Sequence, residues 1–292
     1  MTEPGIRLWH QSITDLERLP GYASMLAEHA AAVCDAGTVV DLHGVLPGTY
    51  PPGVAPIEMG RYPWATALRV LQIAENALKA EKQGYDAVAI SCFIDPALEQ
   101  ARALVDIPVV GALETALLVA STVGRSFGLI ALDAHMAQTL RQLVARYGFS
   151  ERVRVVAALE PALTEHELDH AFKGSSDFVD RFTAQARTLI AQGVDVIIPA
   201  EGVLNTALVR NDVHKIDGIP VLDSYGAVLS YAEMLVRMQR RCKLSTGRGH
   251  AYRRAPDAVV DHLREITISA LVAARPASVA AQPAPSKNKE LP

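Results

Sequence analysis

The nine residues Gly84-Tyr-Asp-Ala-Val-Ala-Ile-Ser-Cys92 align without a gap on Gly193-Val-Asp-Val-Ile-Ile-Pro-Ala-Glu201, 109 residues further on. Each holds a short apolar run of the length and composition of a buried strand. Each is followed by a helical stretch and then by a second matching run, Ile107-Pro-Val-Val-Gly-Ala112 against Ile219-Pro-Val-Leu-Asp-Ser224, now 112 residues apart. A period near 110 residues is too long for a solenoid and reads as two similar α/β halves related by an approximate two-fold axis.

The same alternation extends along the chain. β-branched runs suited to strands occupy 5–9, 38–42, 86–91, 107–110, 127–132, 153–158, 194–199 and 219–222. Helical periodicity fills most of the intervals, most clearly 66–83, 95–105, 133–147, 176–192 and 225–241. This pattern specifies βαβ units and mostly parallel sheets. The predicted fold is therefore α/β: two similar parallel-sheet domains about a pseudo-two-fold axis, with the active site in the cleft between them. Residues 1–115 with 222–274 make the first domain and 116–221 the second. Residues 275–292, rich in Pro, Ala and Ser, are expected to be a disordered tail. The run 48–60, GTYPPGVAPIEMG, is too rich in Pro and Gly for helix or strand and reads as a surface loop or lid over a site. The helical run 256–272 is expected to pack on the outside of the fold or on a second subunit.

Bulk properties narrow the function. The 292 residues, half of them hydrophobic, suffice for one large or two modest domains. Twenty-eight basic against 32 acidic side chains, with no concentrated basic run in the folded part, give no footprint for nucleic acid or an anionic membrane, so the expected partner is a small molecule. The N-terminal residues show no basic segment followed by an apolar run, and no stretch of about 18 apolar residues is long enough to span a bilayer; a cytoplasmic location is the expectation. Cys34, Cys92 and Cys242 lie far apart and form no cluster of metal-ligand spacing, so free thiols and no metal are expected. Nothing resembles GxGxxG or GxxxxGK[ST], and no nucleotide cofactor is expected.

The repeat also locates the chemistry. In a parallel α/β sheet the ligand crevice lies outside the carboxyl ends of the strands, so the first residue past a strand points into it. Cys92 holds that position in one half and Glu201 in the other. A thiol at a helix N-terminus is expected to have its pKa drawn from about 8.5 towards neutrality. A partly desolvated glutamate is expected to hold a proton near pH 7. Set on opposite faces of an acidic C–H carbon, one group removes the proton and the other returns it from the far side, which inverts the centre without a cofactor. The N–H groups of Phe93 and Gly202, next in chain, are placed to stabilise the enolate. His10, Gln11 and Ser12 follow the first strand of one half and Asp133 the first strand of the other; these are candidates for holding substrate carbonyl and amide groups, with helix capping as the competing role for Ser12 and Asp133. Glu114 is a further candidate, equally explained as a first-turn acid. His43 and His250 read as surface loop residues.

The segment SCFIDPALEQARALVDIPVVGALETALLVASTVGRSFGLI, residues 91–130, resembles the Asp/Glu/hydantoin racemase superfamily, and within it the hydantoin racemase branch. The likeness spans roughly residues 5–255. It implies two α/β domains, no cofactor, a homo-oligomer, and one acid/base group from each domain working on opposite faces of a substrate carbon. It makes Cys92 the first catalytic cysteine, with Phe93 and Asp95 in its motif and Gly111 and Glu114 in the downstream pattern. The chain departs from the family at two places. Where a second cysteine is usual in a GCAGM-like turn, it reads AEGVL at 200–204, putting Glu201 in that role, and the usual Asn-Pro-Asn after the first strand is His10-Gln11-Ser12. The implied function is a cofactor-independent racemase or epimerase of a hydantoin or related cyclic amide or amino-acid derivative. The residues leave two alternatives: a cysteine-dependent cis–trans isomerase, decarboxylase or hydrolase, and a two-lobed binding protein without turnover.

Overall fold

Two parallel sheets carry the chain, seen in a computed structural model that describes residues 4–52, 54–164, 167, 170–171 and 176–273. The first contains β1 (Arg7–Gln11), β2 (Val39–His43), β3 (Ala87–Ile90) and β4 (Val109–Gly111) in the order β2-β1-β3-β4. The second contains β5 (Phe127–Ala131), β6 (Val153–Ala158) and β7 (Val196–Pro199) in the order β6-β5-β7. Its fourth strand is reduced to a single parallel bridge between Ile197 and Val221. In the first sheet Val88 pairs with Val109, so the repeat partners of a bonded pair are themselves bonded and the two halves share one topology. All of β3 and β7 is buried without alternation, as strands covered by helices on both faces require. The predicted strand 219–222 is instead mostly spent on a two-residue antiparallel pair, β8 (Lys215–Ile216) with β9 (Ile219–Pro220).

The two repeats also enter their strands alike. Gly84 and Gly193 take positive φ of 75° and 79°, a turn from helix to strand that side chains with a Cβ resist. Two residues on, Asp86 accepts the backbone N–H of Arg7 at 2.8 Å, and Asp195 accepts those of Arg125 and Ser126 at 2.8 and 2.9 Å. Each aspartate thus ties the start of the central pair of strands in its own half.

The helices are α1 (Pro20–Val33), α2 (Pro56–Met59), α3 (Pro63–Lys82), α4 (Leu98–Leu104), α5 (Ala112–Val123), α6 (Ala134–Arg146), α7 (Asp177–Ile190), α8 (Gly202–Arg210), α9 (Ser224–Cys242) and α10 (Asp257–Ala273). Three of them correct the sequence reading. The helix expected to be capped by Ser12 opens as a 3-10 turn at Leu16–Arg18, and α1 begins at Pro20, whose fixed φ suits a first turn. The helix expected from residue 95 begins at Leu98, because Asp95 and Ala97 both take positive φ, 43° and 63°. The Pro- and Gly-rich run 48–60 holds the one-turn α2. The predicted tail 275–292 lies outside the described residues.

One buried cluster joins the halves: Leu8, Ala87, Ala89 and Val110 of the first sheet meet Ile130, Leu132 and Ile197 around the second, with Leu26 of α1 and Val228, Leu229 and Ala232 of α9 between them. Two outer clusters flank it, one under α5 and α6 with Leu129 and Ile198, the other under α3 and α4 with Trp9, Val88 and Ile90. Among the described residues no helix is long and apolar enough to cross a membrane.

Candidate active site

Four strands end at one place. The residues past β1 (Ser12, Ile13, Thr14), past β3 (Ser91, Cys92, Phe93, Ile94), past β5 (Leu132) and past β7 (Ala200, Glu201, Gly202) wall a single cavity of about 140 Å3. Helix α1 adds Leu19 and Tyr22 with the turn before it, α6 adds Met136, and α2 with the start of α3 adds Pro56, Ile57, Gly60 and Arg69. The carboxyl-end convergence follows from parallel strands in two facing halves. The lining is largely apolar, with Ser12, Thr14, Tyr22, Arg69, Ser91, Cys92 and Glu201 as its side-chain chemistry.

Cys92 is half-buried on this wall. It does not sit at a helix N-terminus, since five residues separate it from Leu98, and the expected lowering of its pKa is reversed. Burial pushes the thiol up to about 12, with Asp95 and Glu201 adding to the rise and the Ile94 N–H and Arg69 opposing it. Loss of water around a thiolate outweighs one N–H and one guanidinium. The thiol therefore holds its proton at neutral pH.

The turn after Cys92 is pinned by Asp95. Its buried carboxylate accepts the N–H groups of Leu113 and Glu114 at 3.0 and 2.9 Å, in the first turn of α5, and the Tyr147 hydroxyl at 2.9 Å. Burial raises this carboxyl to about 6 in spite of those three donors. A Cβ on Gly111 would stand 2.6 Å from the Asp95 carboxyl carbon, so the glycine is what lets the carboxylate reach α5.

Glu201 caps α8, its carboxylate accepting the Leu204 N–H at 2.7 Å. Gly202 comes close to the other half: a Cβ there would lie 2.7 Å from the Tyr22 hydroxyl oxygen and 3.6 Å from the Ser91 carbonyl oxygen. A side chain at 202 would thus run into the Tyr22 hydroxyl beside Cys92, and Cys92 and Glu201 both line the cavity. Tyr22 is buried next to them; burial first, then the charge of Glu201, raises its hydroxyl well above the usual tyrosine range, so it remains a donor.

The remaining sequence candidates divide. Ser12, Phe93 and Gly202 are on the cavity wall. Ser12 bonds the Thr14 hydroxyl at 2.7 Å and the Thr14 N–H at 3.1 Å. His10 and Gln11 are turned into the core, because β1 is buried on both faces. Among the described residues neither ring nitrogen of His10 has a partner, and burial takes its pKa down to about 3. Gln11 bonds Trp9, the Ser12 carbonyl and Asn76. Glu114 is paired with Arg102, away from the cavity lining. Asp133 caps α6 through the Met136 N–H at 2.7 Å and meets Arg61 at 2.9 Å, beside the wall rather than on it. His43 belongs to β2, its ring stacked 3.3 Å from Trp9, rather than to a loop. Sequence reading did not reach Tyr22, Thr14 or Arg69. Only Arg69 left a signal, standing four and eight residues before the buried Ile73 and Ala77 on the apolar stripe of α3.

The Asp/Glu/hydantoin racemase family model matches residues 22–232. The chain is 27% identical over 225 residues to a hydantoin racemase of Paenarthrobacter aurescens, covering 75% of this chain and 89% of that protein. It is 26% identical over 181 residues to a hydantoin racemase of Pseudomonas sp. (strain NS671), covering 61% and 70%. Among solved structures, allantoin racemase from Klebsiella pneumoniae shares the fold with a TM-score of 0.70 at 21% identity, covering 86% of this chain and 94% of that one. A glutamate racemase from Francisella tularensis shares it with a TM-score of 0.51 at 13% identity, covering 84% of each chain.

Proposed function

The chain belongs to the Asp/Glu/hydantoin racemase family, and on that footing we propose that it is a cofactor-independent racemase or epimerase of a carbon acid, with Cys92 and Glu201 as its two acid/base groups. The observation that carries this reading is the shared cavity, in which a thiol from the end of β3 and a carboxylate from the end of β7 line the same space.

The protonation of the thiol sets the order of events. Cys92 enters turnover as S–H, so the scheme takes Glu201 as the base, in its carboxylate form, in place of the protonated acid expected from the sequence. The C–H pair of electrons passes into an enolate, and Cys92 delivers its own proton to the opposite face. The new C–H bond leaves the centre inverted, with Glu201 carrying a proton and the sulfur ionised. The opposite enantiomer starts from that second form and returns the enzyme to the first. Arg69 and the Ile94 N–H favour the transient thiolate. The Gly202 and Val203 N–H groups at the start of α8, ahead of the Leu204 N–H that Glu201 already accepts, and the Tyr22 hydroxyl supply donors for the enolate oxygen. The hydantoin racemases named above make 5-substituted hydantoins the first substrates to offer.

Incubation of one enantiomer with the protein in deuterated water tests the scheme. Wild type is expected to exchange and invert the centre, while Cys92→Ser and Glu201→Gln each lose about 10²–10⁴-fold in rate, the usual worth of a positioned proton donor or acceptor. Full activity in both variants refutes it. Intact mass spectrometry during turnover separates a nucleophilic role, which predicts a covalent adduct on Cys92.

A further inference from the structure

The side chain of Arg69 is 1% exposed yet forms part of the cavity wall with Cys92. A buried guanidinium is normally paired with a carboxylate, because taking an unpaired charge out of water is costly. Among the described residues Arg69 makes no ion pair. Its four hydrogen bonds all go to neutral oxygens: the carbonyls of Ala65 at 3.3 Å and Met59 at 3.2 Å, and the hydroxyls of Tyr50 at 3.0 Å and Thr66 at 3.0 Å. Tyr50 in turn donates to the Ile13 carbonyl at 2.5 Å, so the fork is fixed between the lid segment and the end of β1. A guanidinium offers five N–H donors; these bonds use four, which fixes the group and leaves its charge and one Nη1 N–H at the edge of a largely apolar space.

We propose that Arg69 is the anion-recognising group of the site, and that the substrate is a small carboxylic acid with an apolar substituent on its acidic carbon. The reaction part of this inference rests on the racemase reading; the binding part does not. Removing a proton next to a carboxylate places a second negative charge on the same group. A desolvated cation beside it counters that charge where it develops. The apolar wall of Leu19, Ile57, Phe93, Leu132, Met136 and Val203 suits the substituent.

Two probes with one substituent and different charge test it: a single enantiomer of 5-benzylhydantoin, neutral at pH 7, and the N-carbamoyl acid formed by opening its ring. Deuterium exchange at the stereocentre is measured with wild type, Arg69→Met and Arg69→Lys, each checked by circular dichroism. Wild type should exchange the acid. Arg69→Met should lower kcat/KM for the acid about thirtyfold or more beyond any loss on the ring, the scale of a broken buried charge pair. If Arg69→Met fails to fold, Arg69→Lys, which keeps the charge and loses the bonds that hold it in place, should still lower the acid-to-ring ratio about tenfold. Equal loss on both probes, or exchange of the ring alone by wild type, overturns the proposal. If neither probe exchanges, thermal shift decides. Stabilisation of wild type by the acid, absent in the Arg69 variant, upholds the anion site while the racemase reading falls; no stabilisation by the acid overturns it.

Discussion

A single thiol shows how environment overrides position. Its place just past a buried strand was legible from the repeat, yet its chemistry was not, because sequence assigns a helix N-terminus and the backbone inserts a turn there. The left-handed residues Asp95 and Ala97 delay α4, and without the helix dipole the cost of burying a thiolate prevails. A thiol raised to about 12 stays neutral through the physiological range and ionises only as pH climbs towards that value. Alkylation of Cys92 by iodoacetamide, followed by peptide mass spectrometry, should therefore quicken about tenfold per pH unit from 7 to 10 without levelling, as a thiolate fraction below its pKa does. A plateau near pH 8 would show a thiol activated at rest. Arg69 teaches the complementary lesson. An arginine on an apolar stripe is visible in the sequence, but nothing there tells a snorkelling surface side chain from a buried one that faces a cavity.

At the level of elements, the repeated G-x-D explains why so much of the fold could be read. Gly84 and Gly193 turn the chain, Asp86 and Asp195 fasten the neighbouring strands, and the apolar runs between are fully buried. Local chemistry and tertiary packing ask for the same residues. Where they conflict, the reading slipped: β1 is covered on both faces, so His10 and Gln11, expected at the crevice, are core residues and the wall begins at Ser12. The motif spacing Cys92-x-x-Asp95 and Gly111-x-x-Glu114 has a packing cause, the Asp95 carboxylate reaching over Gly111 to the first turn of α5. Gly111→Ala should push that carboxylate away and cost about 1–3 kcal/mol, as overpacking does. Urea unfolding measures the loss, and exchange kinetics should fall with it as the Cys92 turn loosens. An alanine variant as stable and active as wild type would remove this role from Asp95.

Over the whole molecule, the two halves are bound by a common core rather than by a linker. Side chains of both sheets, α1 and α9 form one buried cluster, so the cleft should open little and the chain should unfold as a unit. Trp9 lies in the first sheet and is buried, which gives that half its own reporter. Fluorescence and far-ultraviolet circular dichroism should trace a single urea transition, and Leu229→Ala, at the centre of the shared core, should shift both together by about 2–5 kcal/mol. Two separated transitions would mean that the halves are independent.

In the proposed scheme the two acid/base groups are a thiol and a carboxyl, and unlike partners give turnover a handedness. Mirror-image substrates have equal free energy in solution, so their specificity constants must match in magnitude. The dissimilarity has to surface elsewhere: each antipode meets the protein in its own ionic form, one saturating early and turning over slowly, the other the reverse. Progress curves begun from opposite hands would then bend differently on the way to the same racemate.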